Sequence, residues 1–273
     1  MADLLATHPG VGVSRPKEPD FFTRYYDRGL DWYRSCFPPT DHAVMLDCST
    51  SYSAAPLKTD RPMSDVDNPL VGVPERILAL APDARFIYVI REPVARTYSS
   101  YWHSVRAGHE GRSFRDAVNE DSGYLCASDY LAQIQMYLNH VPRDRFLILL
   151  FEDLVHNPLE VMNACFELMG LEKRHSPPEL PAKNRSFVYR PLLQVLNRRL
   201  RGFGGITPVI KMLRPLVPSG LKGFLQWAIA AKTPPVSRED MAFLEQYFLE
   251  KNARLEAFLG RSLEAWKLQG QRK

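Results

Sequence analysis

The stretch Phe86-Ile87-Tyr88-Val89-Ile90-Arg91-Glu92-Pro93-Val94-Ala95-Arg96-Thr97-Tyr98-Ser99-Ser100-Tyr101 decides the fold. Its first five residues are an apolar, β-branched and aromatic run that reads as a fully buried strand. Arg91 then stands at the strand's carboxyl end, Pro93 breaks the strand, and Ser99 follows at the start of the next helix. Ligands of open α/β sheets bind beyond the carboxyl ends of the strands. A guanidinium fork and a hydroxyl placed there can close on one phosphate. A plainer arrangement fits the same spacing: Arg91 pairs with a nearby carboxylate and Ser99 caps the helix. Spacing alone leaves both open.

Working outward, short strands rich in β-branched and aromatic residues are expected at Val44 to Cys48, Arg85 to Arg91 and Arg145 to Glu152. Helices are expected at Val73 to Leu80, Pro93 to Ala107, Ser128 to Asn139 and Pro158 to Met169. The last helix has the clearest signals. Ser237 is its N-cap, Asp240 follows three residues on, an apolar stripe runs through Leu244, Phe248, Leu255 and Leu259, and Gly260 stops it. Strands alternating with helices imply an α/β fold, with a parallel sheet flanked by helices on both faces.

Composition fits one globular domain over residues 1–273, with 45% hydrophobic and 24% charged residues. The 22 prolines come without any low-complexity tract and read as ordered connections. Cys36, Cys48, Cys126 and Cys165 are widely spaced, show no metal pattern and point to a reducing compartment. Cys165, beside Phe166 and Met169 on an apolar helical face, reads as core. No apolar run reaches the roughly 18 residues needed to span a bilayer, and no signal peptide is visible. A cytoplasmic protein is expected.

Charge is unevenly spread. From Pro181 to Arg238 the basic residues are Lys183, Arg185, Arg190, Arg198, Arg199, Arg201, Lys211, Arg214, Lys222, Lys232 and Arg238, with no acidic residue among them. Such bias implies an anionic partner. Interleaved apolar residues such as Leu193, Leu196, Leu200, Leu221 and Trp227 make residues 191–232 a candidate for amphipathic helices at a membrane surface. No nucleic-acid motif accompanies the charge, so no nucleic-acid partner is expected.

The segment Arg91-Glu92-Pro93-x-x-Arg96-x-x-Ser99-x-Tyr101 resembles the 3′-phosphate-binding segment of sulfotransferases that use 3′-phosphoadenosine 5′-phosphosulfate (PAPS). The likeness extends in order and spacing through His8-Pro9-x-Val11, Lys17-Glu18-Pro19-Asp20-Phe21-Phe22, Gly29-Leu30-Asp31-Trp32-Tyr33, Val73-Pro74-Glu75-Arg76, Phe151-Glu152-Asp153-Leu154 and Phe258-Leu259-Gly260-Arg261-x-Leu263. Together these are similar to the Golgi heparan-sulfate-type sulfotransferases and their bacterial relatives. The resemblance implies a P-loop-like sulfotransferase fold and PAPS as sulfuryl donor, with no metal. The acceptor would be a hydroxyl of a saccharide or glycolipid. It also implies roles: Glu18 as the base that takes the acceptor proton, Arg91 and Ser99 on the 3′-phosphate, and Arg185 as a second contact there. A sugar hydroxyl is a poor nucleophile until its proton is taken, which is why the chemistry needs a carboxylate. The bland alternative is that Glu18 only pairs with Lys17 or an arginine. His103, on the helix after the phosphate segment, is the rival base.

The sequence also departs from the family's pattern. The glycine-rich, lysine-containing phosphosulfate loop has no counterpart in residues 1–273. Gly108-x-x-Gly111-Arg112-Ser113 follows a helical segment, and Gly202-Phe203-Gly204-Gly205 lacks a following lysine-serine pair. The first strand and that loop are therefore expected upstream of Met1, and residues 1–273 alone are expected to be inactive. In Asp47-Cys48-Ser49-Thr50-Ser51-Tyr52, cysteine stands where the heparan-type enzymes have a lysine near the reacting sulfate. The alternative function is a non-catalytic, degenerate sulfotransferase that binds anionic glycans or membrane surfaces. A nucleotide kinase fails for want of a Gly-Lys-Ser/Thr loop.

Overall fold

The structure is a computed structural model that describes residues 1–39, 41–56, 68–121, 123–176, 187–200, 206, 210, 212, 221, 229–264 and 266. The chain divides into two compact units. The first comprises Met1–Glu92, Asp129–Pro181 and Glu250–Lys273, and the second Pro93–Ser128 and Ala182–Leu249. In chain order the first unit begins with α1 (Ala2–Leu5), β1 (Val11–Val13), α2 (Gly29–Ser35), β2 (Val44–Leu46), α3 (Val73–Leu80) and β3 (Phe86–Ile90). The second carries α4 (Pro93–Ala107), α5 (Phe114–Glu120) and α6 (Gly123–Cys126). The first resumes with α7 (Tyr130–Leu138), β4 (Phe146–Leu150), α8 (Phe151–His156) and α9 (Pro158–Met169). The second adds β5 (Phe187–Tyr189), α10 (Pro191–Arg199) and β6 (Ala230–Lys232). The long helix α11 (Arg238–Leu259) starts in the second unit and ends in the first.

The first unit is built on two parallel strand pairs. β1 pairs with β2, Val11 opposite Val44, and β3 pairs with β4 from Phe86 opposite Phe146 to Ile90 opposite Leu150. Successive side chains of a strand point to opposite faces. Phe86, Tyr88, Ile90, Phe146, Ile148 and Leu150 accordingly join one apolar cluster, while Ile87, Val89, Leu147 and Leu149 join another. The fully buried strand expected at Phe86 to Ile90 is therefore only half-buried up to Ile90: each face packs on a cluster, but β3 pairs with β4 alone, and Phe86 to Val89 keep part of their surface exposed. The second cluster also takes Val11, Val13, Val44 and Leu46, and α9 supplies Val161, Met162, Cys165, Phe166 and Met169 at helical spacing. Phe166 is fully buried, and a side chain of that size contributes roughly 1.5–3 kcal/mol by leaving water. Pro158 opens α9, and Gly170, at φ 73°, closes it in the left-handed conformation that glycine tolerates best.

All three expected strands are shorter than their sequences imply, and the run Arg85 to Arg91 spans Phe86–Ile90. The run Val44 to Cys48 ends at Leu46 because the Asp47 carboxylate accepts the Ser49 N–H at 2.9 Å, which turns the backbone off the ladder. The run Arg145 to Glu152 spans only Phe146 to Leu150, since Glu152 and Asp153 sit in the first turn of α8, where acids suit a helix N-terminus. The helix expected from Ser128 to Asn139 spans Tyr130 to Leu138.

The second unit is mostly helical. Val94, Tyr101 and Val105 of α4, Phe114, Ala117 and Val118 of α5, and Leu244 and Phe248 of α11 form its core. Ser113 and Ser237 cap α5 and α11, accepting the N–H of Asp116 at 3.2 Å and of Asp240 at 3.0 Å. β5 and β6 form an antiparallel ladder, Val188 opposite Ala231. Among the described residues no helix is long and apolar enough to cross a membrane. All four cysteines are free thiols, and Cys165 is buried in the core.

Candidate active site

The segments that follow β1 and β2 leave the same end of a parallel pair, so their residues run side by side. The pairing continues past the strands: the Ser14 N–H donates to Leu46 O at 3.1 Å, and the Cys48 N–H to Lys17 O at 3.3 Å. This register brings Glu18-Pro19-Asp20 beside Ser49-Thr50-Ser51, some thirty positions later in sequence. Thr50 Oγ1 donates to Glu18 Oε2 at 3.2 Å, and Lys17 Nζ lies 3.5 Å from Glu18 Oε1. Both Lys17 and Glu18 are exposed, so their ion pair contributes little. The Glu18 carboxylate faces solvent at the rim of the unit, with buried Pro19 holding the backbone beneath it.

Asp47 is the centre of this arrangement. Its Oδ1 accepts from the Ser49 N–H at 2.9 Å and the Ser49 hydroxyl at 2.6 Å. Its Oδ2 accepts from the Tyr52 hydroxyl at 2.7 Å and the Tyr33 hydroxyl at 3.0 Å. Burial, reinforced by the Asp47 charge, pushes both tyrosine hydroxyls far above the ordinary phenol range, so they remain donors. The same two causes push the Cys48 thiol up to about 11. Cys48 is thus a neutral thiol at neutral pH and supplies no positive charge at this position.

An aromatic shelf supports the segment from below. Phe21 stacks on Tyr33 with ring centroids 4.4 Å apart, and Phe22 meets Tyr52 edge-on at 5.6 Å. Arg76 of α3 binds the Phe22 carbonyl through Nε at 2.9 Å and Nη2 at 2.7 Å, and also donates to Val71 O and Pro69 O. The Arg28 guanidinium lies 4.5 Å from the Tyr25 ring centroid and 4.8 Å from that of Trp32.

Arg91 directly follows β3, at its carboxyl end, and is half-buried. It makes no hydrogen bond or ion pair with another described residue. The carboxylate pairing that sequence spacing left open is therefore not formed with any described residue. Ser99 lies in the second turn of α4 rather than at its start, because the helix begins at Pro93, whose fixed φ suits a first helical position. Arg91 belongs to the first unit and Ser99 to the second. His103 is exposed in the third turn of α4. Lys183 and Arg185 lie outside the described residues, as does most of the basic stretch between residues 200 and 229. Among the described residues no cluster of His, Cys, Asp and Glu is placed to hold a metal ion.

Residues 1–175 match the model of the Sulfotransferase family. The chain belongs to that family. Heparan sulfate glucosamine 3-O-sulfotransferase 6 of Homo sapiens is 29% identical over 182 residues, covering 63% of this chain and 48% of the relative. The bifunctional heparan sulfate N-deacetylase/N-sulfotransferase 3 of Homo sapiens is 24% identical over 288 residues, covering 96% of this chain and 29% of the relative. The chain thus spans about half the length of the first and under a third of the second. The crystal structure of a sulfotransferase from Alicyclobacillus acidocaldarius superimposes with a TM-score of 0.63 at 19% identity, covering 97% of this chain and 91% of that one. That likeness establishes the α/β sulfotransferase fold.

Sequence reasoning singled out Glu18 and Arg91 but gave Asp47, Ser51 and Arg76 no task. Their signal was nonetheless present: an acid two positions before three consecutive hydroxyl residues, and an arginine in a motif already counted toward the family.

Proposed function

We propose that this sulfotransferase moves a sulfuryl group from PAPS, as donor substrate, to a hydroxyl of a saccharide. Glu18 is the base: the acceptor oxygen forms its bond to sulfur, the bond from sulfur to the leaving phosphate oxygen breaks, and the hydroxyl proton passes to the carboxylate. The products are the sulfate ester and adenosine 3′,5′-bisphosphate. Arg91 and Ser99 take the 3′-phosphate of the nucleotide, with Arg185 as a supporting cation. Catalysis of this kind rests on positioning and on stabilising charge rather than on covalent chemistry with the protein.

The observation that carries the reading is the half-buried Arg91 guanidinium, which ends a parallel strand at its one fully buried residue, Ile90, and has no partner among the described residues. An arginine fork in that setting suits a phosphate. The saccharide acceptor is supported by the relatives, two of which are heparan sulfate sulfotransferases by name. The test is transfer of radiolabelled sulfate from PAPS to N-sulfated heparan oligosaccharides by a chain that carries the phosphosulfate loop, with Glu18→Gln alongside. Turnover in that variant is expected to fall by about a hundredfold or more while donor affinity stays nearly unchanged. A fully active Glu18→Gln variant beside an inactive His103→Ala would move the base to His103.

A further inference from the structure

We infer that Ser49, Thr50 and Ser51, anchored by Asp47, form a positioning clamp for the Glu18 carboxylate. This rests on the reading of Glu18 as the base. Three consecutive hydroxyls each hold a different point of the Glu18-Pro19-Asp20 segment. Ser49 Oγ accepts the Asp20 N–H at 2.8 Å, Thr50 Oγ1 donates to Glu18 Oε2 at 3.2 Å, and Ser51 Oγ donates to Asp20 Oδ1 at 2.6 Å.

The polarity of the clamp is set from within. Ser49 has one hydroxyl proton, and Asp47 Oδ1 takes it at 2.6 Å, which leaves a lone pair for the Asp20 N–H. Ser51 gives its proton to Asp20, and the Thr23 hydroxyl, which donates to the Asp20 carbonyl at 3.1 Å, lies 2.8 Å from the Ser51 hydroxyl and closes the group. Asp20 itself adopts φ 50°, a left-handed conformation that Asp reaches more readily than most non-glycine residues when its side chain is hydrogen-bonded locally. The bonds from Ser49 and Ser51 to its backbone and side chain hold it there, and that turn aims the preceding Glu18.

The division of labour follows burial. Ser49 is buried, Ser51 half-buried and Thr50 exposed. The inner bonds fix the backbone, and the outer one selects a direction for the carboxylate. Among the described residues Thr50 is the only hydrogen-bond donor to Glu18, and its competitor is the exposed Lys17 ammonium, 3.5 Å away. A base acts only from hydrogen-bond reach of its proton, so a freely rotating Glu18 spends less time in a productive pose. Ser49, Thr50 and Ser51 are therefore positioning residues, acting through Glu18.

The experiment has two readouts, hydrogen exchange on residues 1–273 and activity on a chain that carries the phosphosulfate loop. Hydrogen exchange of the Asp20 amide is read on the protein alone. It is expected to accelerate about tenfold or more in Ser49→Ala, with amides of β3 and β4 unchanged. Transfer from PAPS to an N-sulfated heparan oligosaccharide is then compared for Thr50→Val/Ser51→Ala, Thr50→Ser and Glu18→Gln. The double variant should lose roughly tenfold in kcat with acceptor KM nearly constant, and Thr50→Ser should restore its part of the loss. Placed in Glu18→Gln, the double substitution should add no further loss, because the clamp has then nothing left to position. Unchanged Asp20 exchange in Ser49→Ala overturns the clamp. So does a wild-type kcat in the double variant when Glu18→Gln is inactive, and so do losses that multiply in the Glu18→Gln background. A fully active Glu18→Gln would instead defeat the reading of the base, whatever the exchange data show.

Discussion

The segment after β1 and the residue after β3 treat their polar groups in opposite ways. Around Glu18, hydroxyls, backbone N–H groups and a carboxylate are joined in one network: Asp47 accepts four hydrogen bonds, and Ser49, Thr50 and Ser51 pass the order on to residues 18–20. At Arg91 a half-buried cation ends its strand with no partner among the described residues. Both arrangements belong to the same unit, so a difference in scaffold does not explain them. A group that moves a proton is useful when it is held before substrate arrives. A cation that receives a phosphate is useful when nothing else already occupies its donors. An isolated, partly desolvated charge costs free energy, and a ligand of opposite charge recovers it.

The contrast breaks most visibly at Glu18, where Glu18→Gln should cost about a hundredfold or more in turnover and leave nucleotide binding alone. Arg91→Ala should show the reverse pattern. Affinity for adenosine 3′,5′-bisphosphate should fall by roughly 2–4 kcal/mol in a calorimetric titration, as for a charge-assisted contact removed from a partly desolvated site. Its melting temperature should scarcely change, since no partner among the described residues is lost. Asp47→Asn should do what Arg91→Ala does not. It weakens four internal hydrogen bonds, and the unfolding free energy measured in urea is expected to drop by about 2–4 kcal/mol.

A third acid sharpens the comparison from the second unit. Glu110 is buried and gripped by Arg112 through Nε at 2.9 Å and Nη2 at 2.7 Å, which holds its carboxyl down to about 2 from the ordinary 4.5. A carboxyl depressed on folding stabilises the native state above its unfolded value, and that stabilisation is lost as pH falls toward the folded value. Stability of the second unit should therefore decline between about pH 4.5 and pH 2, and Glu110→Gln should flatten that limb in acid-unfolding curves. An unaltered limb in the variant would assign the acid sensitivity to other carboxylates. This is the smallest of the four effects at neutral pH, where wild type keeps the full contribution.

Much of this fold was legible in the sequence because it depends on local signals. The bounds of α3, α4 and α9 follow from Pro74, Pro93, Pro158 and the apolar stripes, and they coincide with expectation. The cores of β3 and β4 follow from unbroken apolar runs. β1 went unread, since Val11-Gly12-Val13 is too short and carries a glycine. The hydroxyl clamp went unread for a different reason. Residues 18–20 and 49–51 meet only because β1 and β2 pair in parallel, and sequence periodicity does not say which distant strands pair. Ser99 was legible as a helical hydroxyl, but a helix that starts at Pro93, as expected, puts it in the second turn rather than at the start. The division into two units left no mark in composition, since α11 runs on without a break from Leu249 to Glu250.

The central claim is that Arg91 waits for a 3′-phosphate while Glu18 is already held for chemistry. It is tested most directly by calorimetric titration of adenosine 3′,5′-bisphosphate and adenosine 5′-monophosphate into wild type, Arg91→Ala and Glu18→Gln. The account predicts that wild type and Glu18→Gln favour the bisphosphate by the same wide margin, and that Arg91→Ala loses most of that margin. Equal affinity of wild type for the two nucleotides, or an undiminished margin in Arg91→Ala, would contradict it.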